Sequence, residues 1–198
     1  MSLARRATPA DAGELVRLRT IMLDSVHGPD QDTAWQSPAA ERLRTRLADP
    51  GGGLAAFVVD RPGDGPGRAV EGDGAGHLGG TGLAACAVGV IEQRLGSPGN
   101  PLGLVGQVFS VATDPDLRRR GYSRACLEAL LDWYRSRGVR KIDLHASGEG
   151  EPLYASLGFV RNPCPSMRLR APGGGPDGSQ GGGPDGAQGG GRAVAPAQ

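Results

Sequence analysis

The stretch Val111-Ala-Thr-Asp-Pro-Asp-Leu-Arg-Arg-Arg-Gly-Tyr-Ser-Arg124 is the most informative part of this sequence. It joins an apolar run, Leu104–Thr113, to an amphipathic run that ends near Gly138, so it predicts a strand, a turn and a helix. Gly121 allows backbone N–H groups to approach an anion closely, and the helix start adds unpaired N–H groups and the positive end of the helix dipole. The stretch therefore predicts an anion site suited to a pyrophosphate.

Four arginines surround this glycine: Arg118, Arg119, Arg120 and Arg124. A run of arginines is also typical of a solvated surface, so the charge alone does not identify a ligand. The sequence has no G-x-x-x-x-G-K-[ST] motif, and no G-x-G-x-x-G lies between a strand and a helix. The pattern therefore argues against a nucleotide triphosphatase and against a dinucleotide-binding fold.

Composition predicts one folded domain and a tail. The chain has 198 residues and a net charge of +1, which implies no general attraction to nucleic acid or membranes. Its 35 glycines concentrate in an insertion at 62–82 and beyond Ala171. The segment 171–198 repeats a polar GGGPDG unit with nothing apolar to bury, so it is predicted to be disordered. The domain is therefore expected to span 1–170.

The sequence contains no run of about 18 apolar residues and no apolar signal-peptide core. The three cysteines are scattered, and no Cys/His spacing suggests zinc. We therefore expect a cytoplasmic protein without disulfides or a bound metal.

The pattern of apolar residues and turn signals predicts alternating strands and helices, and Thr8 and Asp11 suggest a capping box at the first helix start. The predicted elements are strand Leu3–Ala7, helix Pro9–His27, helix Ser37–Asp49, strands Leu54–Val59, Leu83–Glu92 and Leu104–Thr113, a helix from about Ser123 to Gly138, strand Lys141–His145, helix Pro152–Leu157 and a strand from Phe159 toward Leu169.

The central stretch resembles the acetyl-CoA signature of the GNAT superfamily of N-acetyltransferases, Gln/Arg-x-x-Gly-x-Gly/Ala after an apolar strand. Arg118, Gly121 and Ser123 occupy its three defined positions. Leu144–Phe159, which ends in Leu-Tyr-Ala-Ser-Leu-Gly-Phe, resembles the family's second signature. The element order also agrees from Leu3 to Leu169. Two signatures in the expected order make this resemblance specific.

The resemblance implies an α/β (α+β) fold with a mixed, mostly antiparallel sheet and helices on both faces. The strands Gln107–Thr113 and Lys141–His145 would splay apart, with acetyl-CoA in the gap. The backbone of three residues is implied to contact the pantetheine arm: Val111, Ala112 and Thr113. The backbone of the following loop is implied to hold the pyrophosphate: Arg119, Arg120, Gly121, Tyr122, Ser123 and Arg124. Basic side chains, including that of Arg118, would bind the remaining phosphate, and Ser147 is a further implied contact.

The resemblance also implies direct attack of a primary amine on the thioester in a ternary complex. Tyr154 stands where the family places the general acid that protonates the leaving thiolate. A phenol with a pKa of about 10 and a thiol with one of about 8.5 are close enough for this transfer. The alternative interpretation of Tyr154 is a core aromatic residue.

The sequence departs from the family pattern at two places. Ser123 replaces a glycine or alanine, and its hydroxyl either bonds a phosphate or caps the helix. The central strand has no carboxylate to deprotonate the amine, which leaves His145, Glu92 or water as the base. A histidine at a strand end also serves as a structural hydrogen bonder.

The nature of the acceptor stays open. The run from Leu144 to Tyr154 resembles that of bacterial small-molecule acetyltransferases, which implies a small-molecule amine. Asp24, Asp30 and Asp32 favour a cationic one. Trp35 either lines the acceptor site or packs in the core. Alternatives are a protein or peptide N-acetyltransferase, and a non-catalytic acyl-CoA-binding sensor or scaffold. A homodimer is possible, whereas RNA binding is disfavoured because few aromatics accompany the arginines.

Overall fold

The computed structural model describes residues 3–28, 32–63, 82–163, 167 and 169. Most of the predicted insertion and the whole predicted tail lie outside these residues. The last predicted strand is not found where it was expected to begin, because residues 159–163 adopt no strand, and most of its remainder is outside the described part.

Within the described residues the chain forms a five-stranded sheet, four α-helices and two short 3-10 turns at Pro9–Asp11 and Pro115–Leu117. The elements are β1 Arg5–Arg6, α1 Ala12–His27, α2 Gln36–Leu47, β2 Leu54–Asp60, β3 Leu83–Gln93, β4 Leu104–Thr113, α3 Tyr122–Ser136, β5 Lys141–Leu144 and α4 Glu151–Ser156. No helix in this part of the chain has the length and apolarity that a membrane span requires.

The strands follow one another across the sheet in chain order, β1-β2-β3-β4-β5. The first three pairings are antiparallel, and β4 pairs with β5 in parallel. Helix α3 covers one face through Leu127 and Leu130, and α1 covers the other through Leu15 and Leu18. The prediction of a mixed, mostly antiparallel sheet with helices on both faces is therefore confirmed.

The start of the first helical segment is fixed as the sequence predicted. The Thr8 N–H donates to Asp11 Oδ2 at 2.7 Å, and the Arg5 guanidinium donates to both oxygens of the same carboxylate at 2.8 and 2.9 Å. Burial alone would raise the pKa of the Asp11 carboxyl, but these hydrogen bonds hold it below its ordinary value. Arg5 also binds Asp60, so β1, β2 and the helix start share one charged cluster.

Tyr134 of α3 is fully buried, and its ring occupies space that glycines leave in two strands. Its Oη lies 3.0 Å from the carbonyl oxygen of Gln107 and 3.2 Å from that of Val90, so the hydroxyl donates to the backbone of β3 or β4. A Cβ added at Gly106 would stand 2.9 Å from Tyr134 Cε1. The packing of the Tyr134 ring therefore fixes the distance between helix α3 and the sheet.

We predict that Gly106→Ala lowers the free energy of unfolding by about 1–3 kcal/mol, because the added methyl group overpacks against the Tyr134 ring. The matched control is Gly13→Ala in α1, where an added Cβ meets nothing within 4 Å. The control is expected to raise stability by up to about 1 kcal/mol. Urea unfolding of both variants checks this, and equal stability of the two would contradict the packing described here.

Candidate functional site

The pairing between β4 and β5 is short. It joins Val105 to Lys141 and ends with Val108 opposite Leu144. Strand β4 continues to Thr113 while β5 stops, so no strand of the described residues pairs with the last five residues of β4 on that side. The predicted splay is present, but it begins at Phe109 rather than at Gln107. The result is an open row of backbone donors and acceptors.

A β-bulge lies where the two strands part. Val88 pairs with Ser110 and Gly89 pairs with Val108, which leaves Phe109 unpaired. The Arg19 guanidinium of α1 donates to the Phe109 carbonyl at 3.1 Å and lies 5.8 Å from the centre of its ring. The bulge was not predicted, because apolar and polar residues alternate along β4 as they do in a regular strand. It turns β4 away from β5.

The loop between β4 and α3 presents a series of backbone donors. Arg119 and Gly121 both have left-handed backbone angles, with φ of 64° and 81°. The first helical hydrogen bond runs from Ala125 N to Gly121 O. The N–H groups of 119 and of 121–124 donate no backbone hydrogen bond within the described part of the chain, and N–H groups grouped in this way form an anion-binding concavity. The geometry thus fits the anion site that the sequence predicted.

The start of this loop is anchored by a buried carboxylate. Asp114 accepts hydrogen bonds from Arg61 at 2.7 Å and from Arg17 at 3.0 Å, and its N–H donates to Ala84 O at 2.8 Å. A buried carboxylate held by two guanidinium groups is costly to displace. The loop therefore leaves the sheet from a fixed point.

The Ser123 hydroxyl is hydrogen-bonded to the Thr113 hydroxyl at the end of β4 and does not cap the helix, whose N-cap is Gly121. This bond ties the first turn of α3 to the strand that precedes the loop. Arg124 also has a protein partner, because it donates to Ser156 of α4 at 2.5 Å.

Tyr154 lies in α4, which that Arg124–Ser156 bond joins to the start of α3. Its ring packs edge-on against Phe159, with 6.0 Å between ring centres. Burial raises the pKa of the Tyr154 phenol above its ordinary value. A partly buried phenol that keeps its proton can serve as a proton donor.

The other predicted site residues do not all lie at the splay, because Glu92 of β3 pairs with Val105 at the opposite end of β4. His145 is exposed and directly follows β5 rather than belonging to it. The Ser147 hydroxyl accepts from Gly150 N at 3.2 Å and so closes the turn before α4. Glu92 is paired with Arg94 at 2.6 Å. Arg118 and Arg120 are exposed.

A cavity of about 300 Å³ lies between α1 and α2, and Asp24, Asp32 and Trp35 are among its lining residues. The first residue of α1 that lines it is Thr20, which follows Arg19, the α1 residue that contacts the bulge. Neither carboxylate is paired with a cationic side chain of the described residues, although Asp32 accepts from Ala34 N at 2.9 Å. Asp30 lies outside the described part.

The model of the acetyltransferase (GNAT) family matches residues 33–159, which include the splay, the anion-binding loop and α4. The chain belongs to the GNAT family. The family assignment that its two signatures suggested is thereby confirmed, and the chain is an acetyltransferase by family.

GNAT relatives of known activity match a smaller stretch. The alanine N-acetyltransferase of ribosomal protein bS18 from Escherichia coli K12 is 42% identical over 55 residues. That match covers 26% of this chain and 37% of the relative. The mycothiol acetyltransferase of Beutenbergia cavernae is 33% identical over 63 residues, which is 30% of this chain and 21% of that protein. The chain thus spans well under half the length of these relatives.

Solved GNAT-like structures cover most of the chain. A predicted acetyltransferase from Clostridium acetobutylicum, solved with acetyl-CoA, has 20% identity and a TM-score of 0.66. The alignment covers 84% of this chain and 94% of that one. A GCN5-related N-acetyltransferase from Ralstonia eutropha JMP134 has 23% identity, a TM-score of 0.64 and coverage of 84% and 97%. These similarities confirm the fold.

We predict that Arg119→Gly is more stable than Arg119→Ala by about 1 kcal/mol, because alanine retains the strain of the left-handed conformation whereas glycine does not. Both variants lose the same charge, so each controls for the other. Thermal or urea unfolding measures the difference. Equal stability would show that residue 119 does not adopt a positive φ.

Proposed function

We propose that this protein transfers the acetyl group of acetyl-CoA to a primary amine by direct attack in a ternary complex. The observation that carries the proposal is the open β4 edge from Phe109 to Thr113, which leads directly into a loop of unpaired N–H groups. A linear ligand with amide groups and a pyrophosphate matches that arrangement. Two buried free thiols, Cys86 and Cys126, support a cytoplasmic location.

The proposed cofactor contacts are mainly made by the backbone. The backbone of Val111, Ala112 and Thr113 would pair with the amides of the pantetheine arm, as an added strand pairs with a sheet edge. The N–H groups of 119–124 would hold the pyrophosphate at the start of α3. The exposed side chains of Arg118, Arg119 and Arg120 would neutralise the remaining phosphate. When bound, acetyl-CoA supplies the thioester carbon that an amine attacks.

Tyr154 is proposed to protonate the leaving thiolate. The phenol is protonated at neutral pH at its ordinary pKa of about 10, and burial, which raises that pKa, keeps the proton in place until the thiolate forms. His145 is the proposed proton acceptor for the amine, directly or through water. The ion pair with Arg94 makes Glu92 the weaker candidate for that role.

The proposed acceptor is a small-molecule amine. The cavity with Asp24, Asp32 and Trp35 supports a cationic acceptor, since carboxylates and an indole face both stabilise positive charge. A protein N-terminus is the second candidate. It is supported by the 42% identity, over 55 residues, with the bS18 alanine N-acetyltransferase. A free-thiol assay with polyamines on one side and alanine-initiated peptides on the other separates these acceptors.

We predict that calorimetry detects acetyl-CoA binding with a Kd on the order of micromolar, similar to the KM of many enzymes. The double variant Arg119→Glu/Gly121→Asp should abolish it, because two carboxylates enter the anion loop. The control Gly13→Asp/Arg42→Glu makes the same charge change on exposed helical positions and should bind normally. Folded wild-type protein that binds no acetyl-CoA would exclude both the transferase and the sensor.

We predict that Tyr154→Phe lowers kcat by about 100-fold or more while the Kd for acetyl-CoA is unchanged, because the general acid is lost. In the wild type, kcat should show an alkaline limb above the ordinary tyrosine pKa of about 10, and this limb should vanish in the variant. Tyr134→Phe is the matched control, since that phenol faces backbone carbonyls. Unchanged kcat in Tyr154→Phe would contradict the assignment, and binding without turnover of any amine would favour the sensor.

A further inference from the structure

The helix that carries Tyr154 has little packing of its own. Helix α4 has six residues, and none of them is buried. Gly150 precedes it, and Gly158, with φ of 91°, follows it. Its ion pair between Glu151 and Arg161 is local and exposed. Tyr154 and Leu157 pack only partly against the core beneath α3, so α4 needs another contact to hold its orientation.

That contact comes from the anion-binding loop. Arg124 Nη2 donates to Ser156 Oγ at 2.5 Å, and the Ser156 hydroxyl donates in turn to Leu153 O at 2.6 Å. Among the described residues, the bond between Arg124 and Ser156 is the only side-chain hydrogen bond between α4 and another helix or strand. It spans 32 residues of chain and binds the first turn of α3 to the last turn of α4.

The guanidinium of Arg124 is held in place for this bond. Glu128, one turn further along α3, lies 3.5 Å from Arg124 Nη1. The neighbouring Arg118, Arg119 and Arg120 are all exposed, with no hydrogen bond or ion pair from their side chains among the described residues. Three arginines are thus available for phosphate, whereas the fourth is bound to the helix of the proposed acid.

We propose that Arg124 is a positioning residue for Tyr154. Its N–H belongs to the anion-binding loop, and its side chain fixes α4 relative to that loop. The pyrophosphate site and the proposed proton donor are thereby held at a fixed separation. This inference rests on the proposed function for its catalytic consequence, although the mechanical link concerns the free protein.

The position of Tyr154 is expected to have a large effect on the reaction rate. Proton transfer requires donor and acceptor at hydrogen-bond distance, and displacement of a group by about 1 Å can reduce a rate by about 100-fold. A short helix without buried residues opens locally at low free energy. One hydrogen bond from a charged donor therefore has a large effect on where the Tyr154 hydroxyl lies.

The test compares Arg124→Met, Ser156→Ala and the double variant with wild type. Both residues are outside the core, so the variants are expected to fold. Arg135→Met is the control, because it removes a charge from the exposed far end of the same helix. Hydrogen exchange of the α4 amides in the free protein, the Kd for acetyl-CoA and kcat are measured for each.

We expect faster exchange in α4 and a ten- to hundredfold lower kcat in both single variants, with the Kd for acetyl-CoA nearly unchanged. The double variant should be no worse than either single one, because both remove the same bond. Arg135→Met should resemble wild type in all three measurements.

Two results would overturn the inference. If Arg124→Met weakens acetyl-CoA binding at least tenfold while Ser156→Ala has no effect, Arg124 is a phosphate ligand. If α4 exchange is the same in all variants, the bond does not hold the helix. Failure of the proposed function is distinguishable from both, since wild-type protein would then bind no acetyl-CoA whatever the exchange data show.

Discussion

The end of the β4–β5 pairing at Val108 is the constraint on which the site depends. Backbone donors and acceptors inside a fold are almost always paired, so a strand edge left open between two packed helices is available to a ligand. On its other side β4 stays paired with β3 as far as Thr113, which keeps that edge extended. The bulge at Phe109 produces the separation, and Tyr134 fixes the strand just before it.

The charged residues behind the site stabilise a loop that is itself strained. A non-glycine residue at φ of 64° costs about 1–2 kcal/mol, so the backbone around Arg119 needs support from its surroundings. The buried Asp114 supplies it on one side, through Arg17 and Arg61. The hydrogen bond between Thr113 and Ser123 supplies it on the other. None of these five side chains needs to touch a ligand to determine where the N–H groups point.

Local signals allowed much of the fold to be predicted. The capping pair Thr8 and Asp11, the helical spacing in α1 and α3, and Gly138 just after α3 all act over a few residues, and the structure agrees with them. The bulge at Phe109 and the side-chain bonds that Ser123 and Arg124 make to Thr113 and Ser156 were not predicted. Each depends on a partner at least ten residues away, and such a partner leaves no periodic trace in the sequence.

The same distinction explains why the family could be identified and the acceptor could not. The proposed cofactor site uses N–H groups, which every residue except proline supplies, so what it requires is a conformation. Glycine at position 121 and an apolar strand before it encode that conformation locally. The proposed acceptor site is made by side chains of α1, of α2 and of the residues just before α2, and their spacing follows no backbone rule. A binding site made by the backbone can therefore be predicted from one sequence. Specificity that depends on side chains cannot, because it is determined by how distant segments of the chain pack together.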